Sequence, residues 1–309
     1  MVKLIATAES MEQAEQLLDA GVDTLYIGED YFGLRLPHSF SQEEVAAITK
    51  MAHDKGKEVV VSMNALFHND RLKKVVPYLQ FLESIEVDAV TIGDPGVIRM
   101  LQKNEINVPF IYDAQTMVTS SNQVNFWAKR GAIGAVLARE IPYEELKGIS
   151  EDVQVPTEVL VYGATCIHQS KRPLVQNYFN YVGEEVPDSM EKRELFLSEN
   201  KKEDTHYSIY EDINGTHVFA TDDVNLMTQL EKLYEINMRH WKLDGIFTKG
   251  KTFVEIAKLF DEARTHLDAG TFTEEVKEDL NNRLHDLHPS ERTLDEGFFL
   301  KDPDSIQSC

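Results

Sequence analysis

The stretch Leu4-Ile5-Ala6, then Met11-Glu12-Gln13-Ala14-Glu15-Gln16-Leu17-Leu18, then Gly21 and Thr24-Leu25-Tyr26-Ile27 decides the fold. Two short β-rich runs flank a segment whose apolar residues recur at helical spacing, and a glycine follows the helix where a left-handed cap suits it. Strand, helix, strand at this spacing requires parallel pairing through a helical crossover. The unit recurs along the chain. Further strands are predicted at Glu58–Met63, Ala89–Ile92, Phe110–Tyr112, Ile133–Leu137, Glu158–Tyr162 and His240–Asp244, with helices over Glu43–His53, Leu72–Leu82 and near Phe253–His266. Ser10 with Gln13, Ser41 with Glu44 and Ser120 with Gln123 read as capping boxes; Asp94-Pro95 reads as an N-cap with proline at the first helical position, and Gly56 as a C-terminal stop. The eight strands predict a closed (β/α)8 barrel of the triosephosphate-isomerase type (α/β class) rather than an open doubly wound sheet.

The barrel is expected over residues 1–270, interrupted by an insertion at 167–220 between strands seven and eight. That insertion holds the charge run Glu191-Lys192-Arg193-Glu194. It also holds two apolar runs, Tyr207–Glu211 and His217–Ala220, flanking Asn214-Gly215, a hairpin signal because both turn residues tolerate positive φ. Residues 271–309 form an acidic tail whose apolar Gly297-Phe298-Phe299-Leu300 is expected to dock back on the barrel.

Composition narrows the partners. The formal charge of −22, from 53 acidic against 31 basic residues, repels phosphate backbones, so tight binding of nucleic acid by this chain alone is disfavoured. Lys129-Arg130 and Lys171-Arg172 are local basic pairs that can touch RNA or serve as ordinary solvated charge. No apolar run approaches the ~20 residues that span a bilayer, and the N-terminus lacks a secretory pattern; no membrane contact and a cytoplasmic location are expected. Two cysteines, Cys166 and Cys309, fit a reducing compartment.

In a barrel, side chains just past the strand ends converge on one pocket. Here these are Asn64, Asp94, Gln115, Arg139, Glu140, Tyr162, Lys242 and Asp244. Arg139 and Lys242 suit a small carboxylate ligand; the competing reading pairs Arg139 with Glu140 and Lys242 with Asp244 as structural ion pairs. Asp94 reads more readily as a helix cap than as an acid. Asn64 and Gln115 either orient a ligand or satisfy loop backbone. Candidates for chemistry are Cys166, His168 and Asp244. A cysteine nucleophile with a histidine base two residues on is weighed against a small half-buried thiol, which is favoured. A zinc site from Cys166, His168 and His206 or His217 has no supporting ligand spacing, and no metal site is expected. Tyr178, Phe179 and Tyr181 can stack on a base, but the reading in which they pack the insertion against the barrel is preferred.

Several stretches resemble the peptidase U32 family, the collagenase-like proteases: Leu17–Gly28 followed by Phe32-Gly33-Leu34-Arg35, Asn64-Ala65-Leu66, Asp94-Pro95-Gly96-Val97, Leu137-Ala138-Arg139-Glu140, Glu158–Cys166 continuing to Asn177-Tyr178, Lys242-Leu243-Asp244-Gly245, and Arg292 with Gly297-Phe298. The resemblance carries a peptidase label. It also implies oxygen-independent hydroxylation of transfer RNA, ribosomal RNA or the ubiquinone ring by members that hold an iron–sulfur cluster on four cysteines. In the transfer-RNA branch the product is 5-hydroxyuridine at the wobble position, and prephenate is required. Cys166 occupies the first cluster position, but Pro173 stands at the second. Thr7-Ala8-Glu9-Ser10 replaces the family's Pro-Ala-Gly-Ser, and Ile246 replaces a usual arginine. The resemblance therefore implies a short member with no cluster of its own. Such a member is a component of prephenate-dependent wobble-uridine hydroxylation, working with or beside a cluster-bearing U32 paralogue as a possible hetero-oligomer. The alternatives are a collagenase-like U32 peptidase and a non-catalytic scaffold for that paralogue.

Overall fold

Eight short strands pair in parallel in chain order and the last closes on the first: β1 (Lys3–Thr7), β2 (Thr24–Ile27), β3 (Glu58–Met63), β4 (Ala89–Ile92), β5 (Phe110–Tyr112), β6 (Ala132–Val136), β7 (Thr157–Ser170) and, after the insertion strands β8 (Phe196–Glu199), β9 (Lys202–Asp212) and β10 (Gly215–Asn225), β11 (His240–Leu243). The computed structural model describes residues 1–190, 192–199 and 202–306. Glu191 of the charge run and Cys309 lie outside the described residues. Closure is explicit in the register, because His240 pairs with both Lys3 of β1 and Glu158 of β7. The ring is the predicted α/β barrel of the triosephosphate-isomerase type.

Helices α1 (Met11–Asp19), α2 (Gln42–Asp54), α3 (Leu72–Ser84), α4 (Pro95–Lys103), α5 (Ser121–Ala128) and α6 (Tyr143–Asp152) fill the crossovers. Strand alternation sends Leu25, Ile27, Val59, Val61, Val90 and Ile92 outward into the main core beneath them. Ile5, Tyr26, Val60 and Ala89 point inward and form a small separate cluster. Both faces are buried, as a parallel barrel demands. Ser41 and Glu44 make the full reciprocal capping box. At Ser10 and Ser120 the hydroxyl accepts from the Gln13 and Gln123 amides, but each glutamine carbonyl turns back one residue further, to the Glu9 and Thr119 N–H groups (2.8 and 3.0 Å). Gln13 is held there by its second bond, donated to the Gly250 carbonyl at 3.0 Å.

Strand β7 is much longer than the predicted Glu158–Tyr162. Its first half belongs to the barrel, and its second half rises past the rim and pairs antiparallel with β10, from Thr216 opposite Ser170 to Phe219 opposite Cys166. Cys166 and His168 therefore lie within a strand rather than in a loop. The insertion continues through α7 (Leu174–Val182) and the β9–β10 hairpin, whose turn uses Gly215 at φ +109, where a Cβ would stand 2.0 Å from the Ser170 carbonyl oxygen. Tyr178 and Tyr181 are not packed on the barrel but exposed, since α7 buries only Val175 among its residues.

After α8 (Leu230–Glu235) and α9 (Gly250–Ala269), the C-terminal segment is more structured than an acidic tail. Helix α10 (Glu274–Leu287) packs on α9, and β12 (Thr293–Asp295) pairs in parallel with β10. The Arg292 guanidinium donates to Asp223 Oδ1 (2.6 and 2.9 Å) and to Ser208 Oγ (2.5 Å), and Phe299 is buried against Tyr143. No helix among the described residues is long and apolar enough to cross a membrane.

This junction makes stability pH-dependent. His288 is buried, with Nδ1 at 2.8 Å from the Tyr162 hydroxyl. Burial, reinforced by the Arg292 and His285 charges, lowers its pKa to about 4. Asp223 is 3.8 Å away but is committed to Arg292, so it does not charge the imidazole. The unfolded chain takes up this proton near pH 6.5 and the folded one does not. Its contribution is therefore complete above pH 6.5 and is lost as the pH falls toward 4, by up to about 3 kcal/mol in all. Urea unfolding at stepped pH should show this loss in the wild type, with a shallower slope in His288→Asn; equal slopes would refute it.

Candidate functional site

The inner face of the barrel turns polar toward the C-terminal ends of its strands. Tyr26 Oη bonds Ser62 Oγ (2.8 Å), and Asn64 Nδ2 donates to Tyr26 Oη (3.2 Å) and to Asp113 Oδ2 (2.6 Å). Above this layer opens a cavity of about 350 Å³, at the end of the ring where barrel proteins carry their sites. Asn64, Gln115, Arg139, Glu140, Cys166, His168, Lys242 and Asp244 all line it.

Asp94 and Tyr162 do not. The Asp94 carboxylate is turned away to cap α4, accepting from the Gly96 N–H at 2.7 Å. Tyr162 faces outward to Thr248 and His288, because the pairing of β7 with β11 slips by one residue between Lys242 and Leu243 and reverses its side. The adjoining Gly163, at φ +120, lets β7 pass the Asp244 carbonyl, which a Cβ would meet at 2.3 Å.

The ion pairs differ from those of the competing structural reading. Arg139 pairs with Asp244 at 3.2 Å, not with Glu140, which is exposed at the rim, and its other terminal nitrogen donates to the Ala164 carbonyl. Lys242 faces Glu158 at 3.7 Å, at the base of the cavity, with its ammonium over the Tyr26 ring. Burial pushes Lys242 down and Glu158 up, while each one's charge opposes the other's shift. Asn64 is engaged on both sides, its carbonyl accepting from the Leu34 N–H and Ser62 Oγ at 2.9 Å each.

Arg35, absent from the strand-end set, also lines the cavity. It lies in the loop after β2, and one terminal nitrogen donates to Gln169 Oε1 at 2.9 Å while the other donates to Gln115 Oε1. Gln115 is oriented in turn by Asp113, which accepts its side-chain N–H at 2.9 Å. Arg35 and Gln115 both hold left-handed backbone, at φ 55 and 57, which costs a residue with a Cβ about 1–2 kcal/mol. Such strain collects at functional sites. The available signal was position: the Phe32-Gly33-Leu34-Arg35 stretch follows a strand at the C-terminal face. The hairpin turn clamps this loop, with Asn214 Nδ2 donating to the Asp30 and Gly33 carbonyls (2.8 and 3.2 Å) and Arg71 donating to Asn214 Oδ1 and the Ile213 carbonyl (2.6 Å each).

Cys166 and His168 are not a side-chain pair. The thiol donates to the His168 main-chain carbonyl at 3.3 Å, and the His168 residue is exposed. The imidazole whose proton affinity bears on Cys166 belongs to His217 on β10, which is fully buried and bonds Asp212 Oδ1 through Nε2 at 3.0 Å, its Nδ1 having no hydrogen-bond partner. Burial raises the thiol pKa, but interaction with His217 and the Arg35 and Arg139 charges outweighs it, leaving the group below its ordinary value. One thiol beside an imidazole does not fit a four-thiolate iron–sulfur cluster, and among the described residues no three His, Cys, Asp or Glu side chains converge as metal ligands.

Known proteins align with this arrangement along most of the chain. It is 35% identical over 303 residues to tRNA hydroxylation protein P2 of Bacillus subtilis, covering 97% of this chain and 98% of that one. It is 25% identical to tRNA hydroxylation protein P of Haemophilus influenzae, covering 96% and 73%, and 26% identical to an uncharacterized protease of Methanocaldococcus jannaschii, covering 98% and 74%. The family model described as Peptidase family U32 matches residues 9–308, a span that takes in every strand of the barrel except β1, together with the insertion and the C-terminal segment, and the chain belongs to that family.

Proposed function

We propose that this chain is a cytosolic component of transfer-RNA hydroxylation, forming 5-hydroxyuridine at the wobble position with a cluster-bearing U32 paralogue. In this reading it carries no cluster of its own and holds a small carboxylate such as prephenate in the barrel mouth. The observation that carries the ligand class is Arg35. Its guanidinium projects into the cavity, where amide carbonyls of Gln115 and Gln169 receive it in place of a carboxylate. Its charge stays available to an anion, which a planar guanidinium grips at two oxygens. Arg139, already shared with Asp244, supplies a second donor face. Support for the pathway comes from relatives named for tRNA hydroxylation, the first of them similar along its whole length. The net charge of −22 fits a chain whose partner makes most RNA contacts, with Lys171-Arg172 and the exposed Tyr178 and Tyr181 as a local contact face.

Deletion of the gene, alone and with the cluster-bearing paralogue, should lower 5-hydroxyuridine-derived nucleosides in transfer RNA measured by mass spectrometry. Unchanged levels in both backgrounds would remove the proposal. By calorimetry the purified protein should bind prephenate, and Arg35→Gln should weaken binding by roughly tenfold or more, the worth of one charge-assisted hydrogen bond. Asp94→Asn, at a residue outside the cavity, should bind as the wild type does. Equal affinity in Arg35→Gln would show that the carboxylate sits elsewhere.

A further inference from the structure

The upper half of β7 and its partner β10 bring together three groups that are far apart in sequence. Cys166 forms part of the cavity wall, and its residue is partly exposed there. Behind it, the His217 imidazole is wholly enclosed. Nε2 of that ring is taken by Asp212, while Nδ1 is buried and has no hydrogen-bond partner. Cys166 packs on the cluster that holds Tyr210, whose ring lies 5.0 Å from that of His217, so the thiol and the unpartnered nitrogen share one enclosed neighbourhood. An aspartate that fixes the ring tautomer and orientation, an imidazole that accepts a proton, and a thiol on the accessible side is the order of groups that activates a cysteine.

The charges around the cluster favour the same ionisation. On the cavity side Arg35 and Arg139 face the sulfur. Beyond His217, Asp212 is flanked by Asp30, which carries like charge, and by Lys171; Arg193 lies over the neighbouring Tyr210 ring at 4.4 Å. Burial alone would hold His217 neutral, yet its bond to Asp212 and the neighbouring Cys166 sulfur raise its affinity for a proton. Losing the proton forfeits the bond from the thiol to the His168 carbonyl, a weak sulfur donor at 3.3 Å, in exchange for an ion pair in a mostly enclosed setting.

We propose that Cys166 is a nucleophilic thiolate, paired with a His217 imidazolium that Asp212 positions, and that it attacks an electrophilic carboxylate guided into the cavity by Arg35 and Arg139. A haloacetate represents that class. With iodoacetate the sulfur lone pair forms a bond to the methylene carbon, the carbon–iodine pair leaves as iodide, and the thiol proton stays on His217. This assignment stands apart from the RNA reading, because its test needs only the purified full-length chain.

The test follows alkylation by iodoacetate and by neutral iodoacetamide from pH 5 to 9, with modification at Cys166 resolved from Cys309 by peptide mass spectrometry. A cysteine in an unstructured, blocked peptide, with a pKa near 8.5, reacts at pH 6 roughly 300-fold below its plateau. Cys166 should stand at least about tenfold closer to its own plateau at that pH. It should also favour iodoacetate over iodoacetamide relative to that peptide, and Arg35→Gln should reduce that preference. Asp212→Asn and His217→Asn, checked for folding by circular dichroism, should move the pH profile to the alkaline side. A wild-type profile that tracks the unstructured cysteine peptide overturns the proposal whether or not the variants fold. A folded Asp212→Asn with the wild-type profile removes Asp212 from it.

Discussion

The upper half of β7 would be a bare edge if β10 did not cover it, and most of what distinguishes this barrel hangs on that pairing. A strand that leaves the ring needs partners for its N–H and C=O groups. The insertion supplies them by returning antiparallel along β7. The same β10 then accepts β12 on its far end and presents Asp223 to Arg292, so the C-terminal segment is anchored through the insertion as well as through α9. One ladder thereby sets the pose of the hairpin, the seat of the tail and the approach of His217 to Cys166.

Much of the ring was legible because its signals are local. Short β-rich runs, capping serines and glycines after helices depend on neighbours a few residues away, and they locate the ends of every barrel strand but β7 to within one residue. The Asn214-Gly215 turn was readable for the same reason. What a period-2 pattern does not reveal is where a strand stops when its later partner comes from some 50 residues downstream, so the pattern ends β7 at Tyr162 whereas the strand runs to Ser170. The misplacement of Tyr162 has a related cause, since one irregular step in pairing with β11 reverses the side chains beyond it.

The site followed the same division. Positions at strand ends identified most of the residues in the cavity, because barrel geometry sends them there. Their pairing was not legible: Arg139 lies beside Glu140 in sequence but reaches Asp244 across the ring, and Lys242 turns to Glu158 on the adjoining strand. Spacing along one strand pointed to His168 for Cys166, whereas cross-strand packing supplies His217. The aromatic pattern of α7 suggests packing residues, yet Tyr178 and Tyr181 are exposed, since nothing in a helical pattern says whether its apolar face meets the barrel.

Arg35 sits against amide oxygens, and this has a bearing on selectivity. An incoming molecule must evict a neutral oxygen that already satisfies the guanidinium, so an uncharged polar compound swaps like for like and gains little, whereas a carboxylate improves the exchange by a full charge. A carboxylate entering the mouth would therefore be favoured by its ionisation before shape is consulted, and Gln115 would give up Arg35 while keeping both of its bonds to Asp113.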